Sequence, residues 1–369
     1  MAGQIVKRGE RNYVVRVFIG RDASGKRKYL NEMVKGSKKD AQTVLNKLLR
    51  AKDMGALAVP SGSTLNEYLD HWLEAAAKPR LREMTYHEYK GQLARYVRPE
   101  LGHVKLSKLT PVAIQTCYSK ILEAGLSART VRLTHAILRN ALSQAVKWRT
   151  LPYNPADAVD LPKQQREEMY ALSREQAARF LELSKGDRWH VLFTLLLSTG
   201  LRPSEAIALK WTDLDLAGGR LHVTRTLARV EGRWVFSEPK TKSSRRVVYI
   251  PVSLARLLAS QPQTSELVFT NKDGEPVRIR GVIEDHFKPL LEKAGIPSKV
   301  RLYDLRHTCA TLLLLAGEHP KKVAERLGHA DIALTLNTYS HVLPGMQREG
   351  AEKLEALLFQ TDPTAPAYN

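Results

Sequence analysis

Four successive segments between Thr64 and residue 160 carry apolar residues at the spacing of an α-helix: "TLNEYLDHWLEAAA", "MTYHEYKGQLARYV", "TPVAIQTCYSKILEAG" and "SARTVRLTHAILRNALSQAVKW". A stripe of this kind can be buried on one side only, so each segment needs neighbours to cover it. Pro111 in the first turn and Gly125 just past the end mark the limits of the third. Four such helices in a row predict one bundle-like domain over residues 63–160.

On either side the period changes. Upstream, "RNYVVRVFI" and "KRKYLNEMV" alternate apolar and polar residues as half-buried strands do, with turn chemistry in the intervening "DASGK". A helix capped by Ser37 and closed by Gly55 follows, giving a small sheet plus one helix over residues 1–56. "ALAVPSGS" reads as a linker, and "NPADAVDLPKQQREE" as the next one. From residue 170 the pattern is mixed. "REQAARFLELS" and "RWHVLFTLLLS" are helical, while "RLHVTRTL", "RWVFSEP" and "RRVVYIP" alternate like strands. After them, "VSLARLLAS" and nearly everything to residue 359 reads as helix. The expected fold is therefore multi-domain and mainly α with small β-sheets. A mixed α/β domain spans 168–360, and a flexible tail follows over 361–369.

Charge narrows the partners. The chain holds 58 Lys+Arg against 38 Asp+Glu, a formal +20 over 369 residues. Residues 1–55 contribute 14 Lys/Arg against 5 Asp/Glu, so the excess is concentrated at the start. Such a balance favours polyanions, nucleic acid foremost. A membrane partner is not expected: the longest apolar runs, "VLFTLLL" and "TLLLLAG", fall far short of the ~20 residues a span needs. The N-terminus carries no signal-peptide pattern. Cys117 and Cys309 are lone and far apart, which points to a reducing cytoplasm and implies neither a disulfide framework nor a thiolate cluster.

Four short stretches stand out, in order: "TGLRPSEAIALKW", "EPKTKSSRRVVYIP", "LYDLRHTCATLL" and "LGHADIALTLNTYSHV". In the first, Pro203 starts a helix and Arg202 sits at that start, where free N–H groups favour an anion. Glu205, three residues on, shares a face with Arg202 and can steer it. In the second, "TKSS" reads as the tip of a hairpin presenting Lys240 or Lys242. In the third, Tyr303 and Arg306 share a helix face and His307 lies on a different side. In the fourth, a continuous helix would hold His329 and Tyr339 ~15 Å apart. Gly328 can end one helix and Asp331 can cap the next, so a turn can bring Tyr339 back toward His329. Taken singly, each stretch is also what a solvated helix entry, a surface lysine or a core tyrosine produces.

Together, at these intervals, the four stretches resemble the tyrosine recombinase family, specifically phage-type integrases, and the resemblance covers nearly the whole chain. It implies an arm-type DNA-binding module at the N-terminus, a helical core-binding domain in the middle and a catalytic domain after residue 168. Position by position it makes Tyr339 the nucleophile, Arg202 and Arg306 the clamp on the scissile phosphate, and Lys240 the proton donor to the leaving oxygen. His329 stands beside the phosphate and Glu205 supports the cluster. The basic residues Arg11, Arg16, Lys26, Arg27 and Lys28 become candidate DNA contacts of the first module. One position departs: the usual pattern before the second arginine is His-x-x-Arg, and here it is Tyr-x-x-Arg. Tyr303 can donate a hydrogen bond to a phosphate, but a phenol with a pKa of ~10 is a poor proton shuttle near neutral pH.

The residue types suit the chemistry. Two guanidiniums match phosphate oxygens bidentately and hold their charge throughout. Tyrosine attack stores the bond energy in a 3′-phosphotyrosyl ester that another strand's 5′-hydroxyl can displace, without ATP. A two-metal nuclease would want clustered carboxylates, whereas Glu205 stands alone among cations, and His307, His329 and His341 lack a tight ligand motif. No cofactor and no metal are therefore expected. The expected partners are double-stranded DNA at core and arm sites, further copies of the chain in a homotetramer and, by analogy, an excisionase or DNA-bending protein. Two other readings stay open: a catalytically silent DNA-binding regulator on the same scaffold, which Tyr303 favours, and a relaxing topoisomerase, which would need no basic arm module.

Overall fold

The computed structural model describes residues 3–21, 26–53, 62–164, 169–238, 244–339, 351–352, 354–355 and 358. The chain divides into two compact units, Met1–Arg166 and Glu167–Asn369.

The first unit opens with an antiparallel sheet in the order β1 (Gly3–Lys7), β2 (Asn12–Arg21), β3 (Arg27–Lys35). Helix α1 (Lys38–Asp53) packs on it through Val15 and Val17 of β2 and its own Ala41 and Leu45. The expected serine cap is present: the Asp40 N–H donates to the Ser37 hydroxyl, and the Ser37 N–H returns a 2.7 Å bond to the Asp40 carboxylate. Gly55, expected to close this helix, lies outside the described residues.

The four amphipathic segments form the helices expected of them. They are α2 (Leu65–Trp72), α3 (Glu83–Gln92) with its extension α4 (Arg98–Leu101), α5 (Pro111–Glu123) and α6 (Ala128–Lys147). A capping box between Thr64 and Glu67 starts α2, and Gly125 ends the α5 region with φ +77°. Their stripes meet in one core, where Trp72 stacks on Tyr89 at 6.3 Å and the Tyr68 hydroxyl donates to the Ala141 carbonyl at 2.6 Å. The first part of the expected second linker is packed on this bundle. Pro155 and Ala156 are buried, and Gln115 bonds both the carbonyl and the N–H of Asp160.

The second unit is built around α7 (Arg174–Ser184), the apolar α8 (His190–Thr199) and the short α9 (Pro203–Ala206). Phe180, Phe193 and Phe287 form its aromatic centre, with ring centroids 5.4–5.9 Å apart. Five strands follow: β4 (Leu214–Asp215), β5 (Arg220–Val223), β6 (Thr226–Val230), β7 (Arg233–Ser237) and β8 (Arg246–Tyr249). The helices after them are α10 (Val252–Ala259), α11 (Ile279–Gly281), α12 (Lys288–Lys293), α13 (Asp304–Leu315), α14 (Pro320–Leu327) and α15 (Ile332–Tyr339). No helix among the described residues is long and apolar enough to cross a membrane.

Two expectations are corrected. The strands flanking "TKSS" do not make a hairpin with each other. β7 pairs with β6, across a turn in which Glu231 and Gly232 both take positive φ, and β8 pairs with β5 in the order β4-β5-β8. The tight turn at 231–232 captures β7 before β8 is reached. The stretch from Ser260 to Arg278 is not helical either. There the Val268 N–H donates to the Leu209 carbonyl and the Trp211 N–H to the Glu266 carbonyl, while the Asn271 side chain accepts from the N–H groups of Asp273 and Glu275. An asparagine that satisfies local backbone donors offers the chain an alternative to the helix.

Gly200, after α8, and Gly317, after α13, both take left-handed φ, +66° and +82°. A Cβ at Gly200 would sit 2.5 Å from Leu327 Cδ2, whereas one at Gly317 meets nothing within 4 Å. We predict that Gly317→Ala lowers unfolding stability by about 1 kcal/mol through backbone strain alone. Gly200→Ala should lose roughly 2–3 kcal/mol, because a packing clash is added to that strain. Urea denaturation of both variants checks this; equal losses would mean that Gly200 is not pressed against α14.

Candidate active site

The site begins where α8 stops. Gly200 turns the chain, Arg202 takes an extended conformation, and Pro203 fixes the first turn of α9. Glu205 is then one turn from Arg202, and the two close on each other. Glu205 Oε2 accepts from the Arg202 N–H at 2.9 Å, and Oε1 accepts from the Arg202 guanidinium at 2.7 Å. Glu205 is only 1% exposed, while the Arg202 side chain remains 31% exposed. One end of the pair is anchored and the other faces solvent.

A second arginine meets the same carboxylate from β8. Arg246 donates to Glu205 Oε2 at 3.0 Å and to the backbone carbonyl of Arg326 at 2.6 Å. Burial alone would raise the Glu205 pKa; Arg246 and Arg202 outweigh it and leave the carboxyl below its ordinary value. Arg306, in the first turns of α13, is 1% exposed. It donates at 2.7 Å to the carbonyl of Gly200 and at 2.7 Å to that of Leu327. Burial and the nearby Arg202 charge push its pKa down to about 10, so it stays cationic at neutral pH. Arg246 and Arg306 thus hold two adjacent carbonyls at the C-terminal end of α14, where helix carbonyls lack internal partners and attract cations.

His329 follows directly. Gly328 ends α14 in a left-handed conformation at φ +69°, and the Asp331 carboxylate accepts from the Ala333 N–H to start α15. The break expected between His329 and Tyr339 is therefore present. The His329 ring places Nδ1 2.7 Å from the hydroxyl of Thr335, a fully buried residue of α15. Burial and then the Arg306 and Arg202 charges lower the His329 pKa to about 4. Tyr303, at the cap position of α13, is 38% exposed, and its phenol interacts electrostatically with the Arg202 guanidinium. The expectation that His307 lies on a different side is corrected: its ring is 5.3 Å from that of Tyr303, edge to face. Tyr303 starts the helix and His307 comes one turn later, so the two rings meet. Burial brings His307 down to about 4 as well.

Arg202, Glu205, Tyr303, Arg306 and His329 are therefore in one place. The main chain of Tyr339 ends α15, one turn beyond Thr335; its side chain lies outside the described residues, as do Lys240 and Lys242. In the N-terminal sheet, Arg16 points away from α1. It bonds Asn31 at 3.1 Å and lies over the Tyr29 ring at 4.8 Å. Arg27 alternates with Tyr29 and Asn31 along β3 and shares that face. Arg11 and Lys26 are exposed at strand ends, and the Lys28 side chain lies outside the described residues. Sequence reading missed Arg246. The sequence offers only a partial signal, the alternation that puts Arg246 on the same face as Val248; the pairing with Val223 that buries this face is seen only in the fold. A charge on the buried face of a strand needs a partner.

Comparison with known proteins gives the family and the fold. A model of the phage integrase family matches residues 161–345, and one for the phage integrase N-terminal SAM-like domain matches residues 64–122. The chain is 30% identical to a "Tyrosine recombinase XerC-like" protein of Caldanaerobacter subterraneus subsp. tengcongensis, over 95% of this chain and 98% of the relative. It is 28% identical to the ICEBs1 integrase of Bacillus subtilis, over 69% and 72%. In fold it is similar to the Tn1549 transposon integrase in complex with a circular intermediate DNA, with a TM-score of 0.69, 23% identity and coverage of 79% and 99%. It is also similar to lambda integrase as a tetramer bound to a Holliday junction, with a TM-score of 0.60, 17% identity and coverage of 90% and 94%.

Two outcomes follow from the site's electrostatics. Arg246→Met leaves Glu205 buried with half its partners gone, and we predict a loss of about 3–5 kcal/mol in urea unfolding. Adding Glu205→Gln should recover part of that loss; strictly additive losses would contradict the pairing. The second outcome concerns pH. The folded pKa values of His307 and His329 lie below the ordinary 6.5. The unfolded chain therefore binds protons that the folded one refuses. Stability is full above about pH 6.5 and falls toward pH 4, by up to about 1.4 kcal/mol per pH unit for each ring. Replacing either histidine by Gln should flatten the slope, and an unchanged slope in both variants would refute the burial account.

Proposed function

The chain belongs to the phage integrase family of tyrosine recombinases, and from that premise we propose that it cuts and rejoins DNA through Tyr339 to move a phage or other mobile element. One observation supports the reading most. Arg202, Arg246 and Arg306 gather at one point, and among the described residues Glu205 is the only carboxylate that bonds any of them. Such a site carries surplus positive charge that a phosphodiester would neutralise.

In the proposed reaction Arg202 and Arg306 hold the non-bridging oxygens, with charge growing there in the transition state. The Tyr339 oxygen attacks phosphorus and gives its proton to solvent water. The bond to the 5′-oxygen breaks, and that oxygen takes a proton from Lys240. The product is a 3′-phosphotyrosyl ester, and a 5′-hydroxyl of a second strand reverses the step to rejoin. His329, neutral at physiological pH, can exchange a hydrogen bond with the phosphate at either stage. Tyr303 would add a donor beside Arg202, in place of the usual histidine.

The same reading assigns Arg11, Arg16, Lys26, Arg27 and Lys28 of the first module (1–56) to arm DNA, the bundle (63–160) to core DNA and residues 168–360 to catalysis. A homotetramer on two duplexes, and an excisionase or DNA-bending protein to direct it, belong to the proposal by analogy. The tetrameric lambda integrase complex is consistent with that assembly. A catalytically silent regulator is the second reading, favoured by the tyrosine at 303.

A nicked suicide duplex, carrying the core sequence read from the DNA that flanks the gene, separates the two. We predict a covalent protein–DNA adduct on a denaturing gel that disappears in Tyr339→Phe and persists in Tyr303→Phe. An adduct that survives Tyr339→Phe moves the nucleophile elsewhere, and no adduct with the intact protein favours the regulator.

A further inference from the structure

We propose that Thr335 is a positioning residue: its hydroxyl locks the helix that ends at Tyr339 onto the ring of His329, so that nucleophile and phosphate-facing histidine are set by one hydrogen bond. This rests on the assignment of Tyr339 and His329 made above.

The backbone of His329 is already fixed from the α14 side. Its N–H donates to the Ala324 carbonyl at 2.9 Å. The two preceding residues have their environment set by the buried guanidiniums: Leu327 offers its carbonyl to Arg306, and Gly328 takes the left-handed turn beside it. What the backbone does not fix is the imidazole, which can still rotate about two bonds. The contact at 2.7 Å between Nδ1 and Thr335 Oγ1 removes that freedom and commits Nδ1 to α15. Nε2 is then the nitrogen that can meet a phosphate.

The same bond fixes α15. Thr335 lies within "IALTLNTY", an otherwise mostly apolar segment, and is fully buried. A buried hydroxyl is unfavourable there unless it has a partner, and here the partner is a residue of the site. A branched side chain on a helix has few rotamers, so the hydroxyl's place specifies the helix's rotation and height. Position 339 follows four residues later, ~6 Å along the axis on the same side. The rotation that satisfies Thr335 therefore also sets the direction from which the residue at 339 approaches.

The chemical type of the partner fits a histidine that exchanges protons. A hydroxyl donates to a neutral ring and accepts from a protonated one, so the bond survives both states. A carboxylate in its place would hold the ring charged, whereas this ring is held neutral by burial and by the neighbouring guanidiniums.

The test separates the hydroxyl from the shape of the side chain. Thr335→Val keeps the volume and removes the hydroxyl; Thr335→Ser keeps the hydroxyl and removes a methyl. With the full chain and the nicked suicide duplex, Thr335→Val should slow adduct formation at least tenfold while leaving duplex affinity within twofold. Thr335→Ser should recover most of the rate. A Val variant that cleaves like the unaltered protein overturns the proposal, and so does a Ser variant as slow as Val, since packing would then be the role. If the unaltered protein makes no adduct, the functional assignment has failed instead. The lock is then judged without DNA by the ring ¹⁵N shifts of His329, which should report one dominant tautomer that Thr335→Val turns into an average. Identical spectra overturn it.

Discussion

A carboxylate with almost no access to water, shared by two arginines, is the interaction on which the rest of this site depends. Glu205 can stay charged at 1% exposure only because Arg202 and Arg246 both bond it. In return it fixes Arg202, which would otherwise be a mobile surface side chain. Without it, three guanidiniums would repel one another at close range in a poorly solvated place. With it, the local charge is positive but bounded, and the geometry stands ready for an anion before one arrives.

The C-terminal end of α14 is the seam where this electrostatic frame meets the reacting groups. Arg246 takes the carbonyl of Arg326, Arg306 takes that of Leu327, Gly328 reverses the chain, and His329 emerges next. Each step follows from elementary constraints. Terminal helix carbonyls need donors, a left-handed residue favours glycine, and the residue after it is held by the turn. Because α8 delivers both Gly200 and Arg202 to the same place, one helix end supplies an anchored, half-exposed guanidinium and another supplies the histidine.

Much of this was legible in the residues. The helical stripes of the bundle, the Pro203 start, the Arg202–Glu205 spacing and the Gly328–Asp331 break are local patterns, and local patterns survive tertiary packing. What was not legible depended on distant partners. "RRVVYIP" reads as a strand, but nothing within it says that β5 rather than β7 will pair with it, and only that pairing turns Arg246 inward. The edge-to-face contact of His307 with Tyr303 depends on where α13 begins. Residues 260–278 read as helix because their satisfaction comes from Leu209 and Trp211, some sixty positions upstream. Nothing local in the sequence marks Thr335; its contact depends on the turn that brings His329 to it.

Whether both arginines and Tyr339 meet at one phosphorus can be seen in a crystal structure of the full chain on nicked core DNA with orthovanadate in place of the scissile phosphate. The expected result is that the guanidiniums of Arg202 and Arg306 bond the equatorial oxygens and that the Tyr339 oxygen is an apical ligand. Vanadate bound away from either arginine, or an apical ligand supplied by Tyr303, would contradict it.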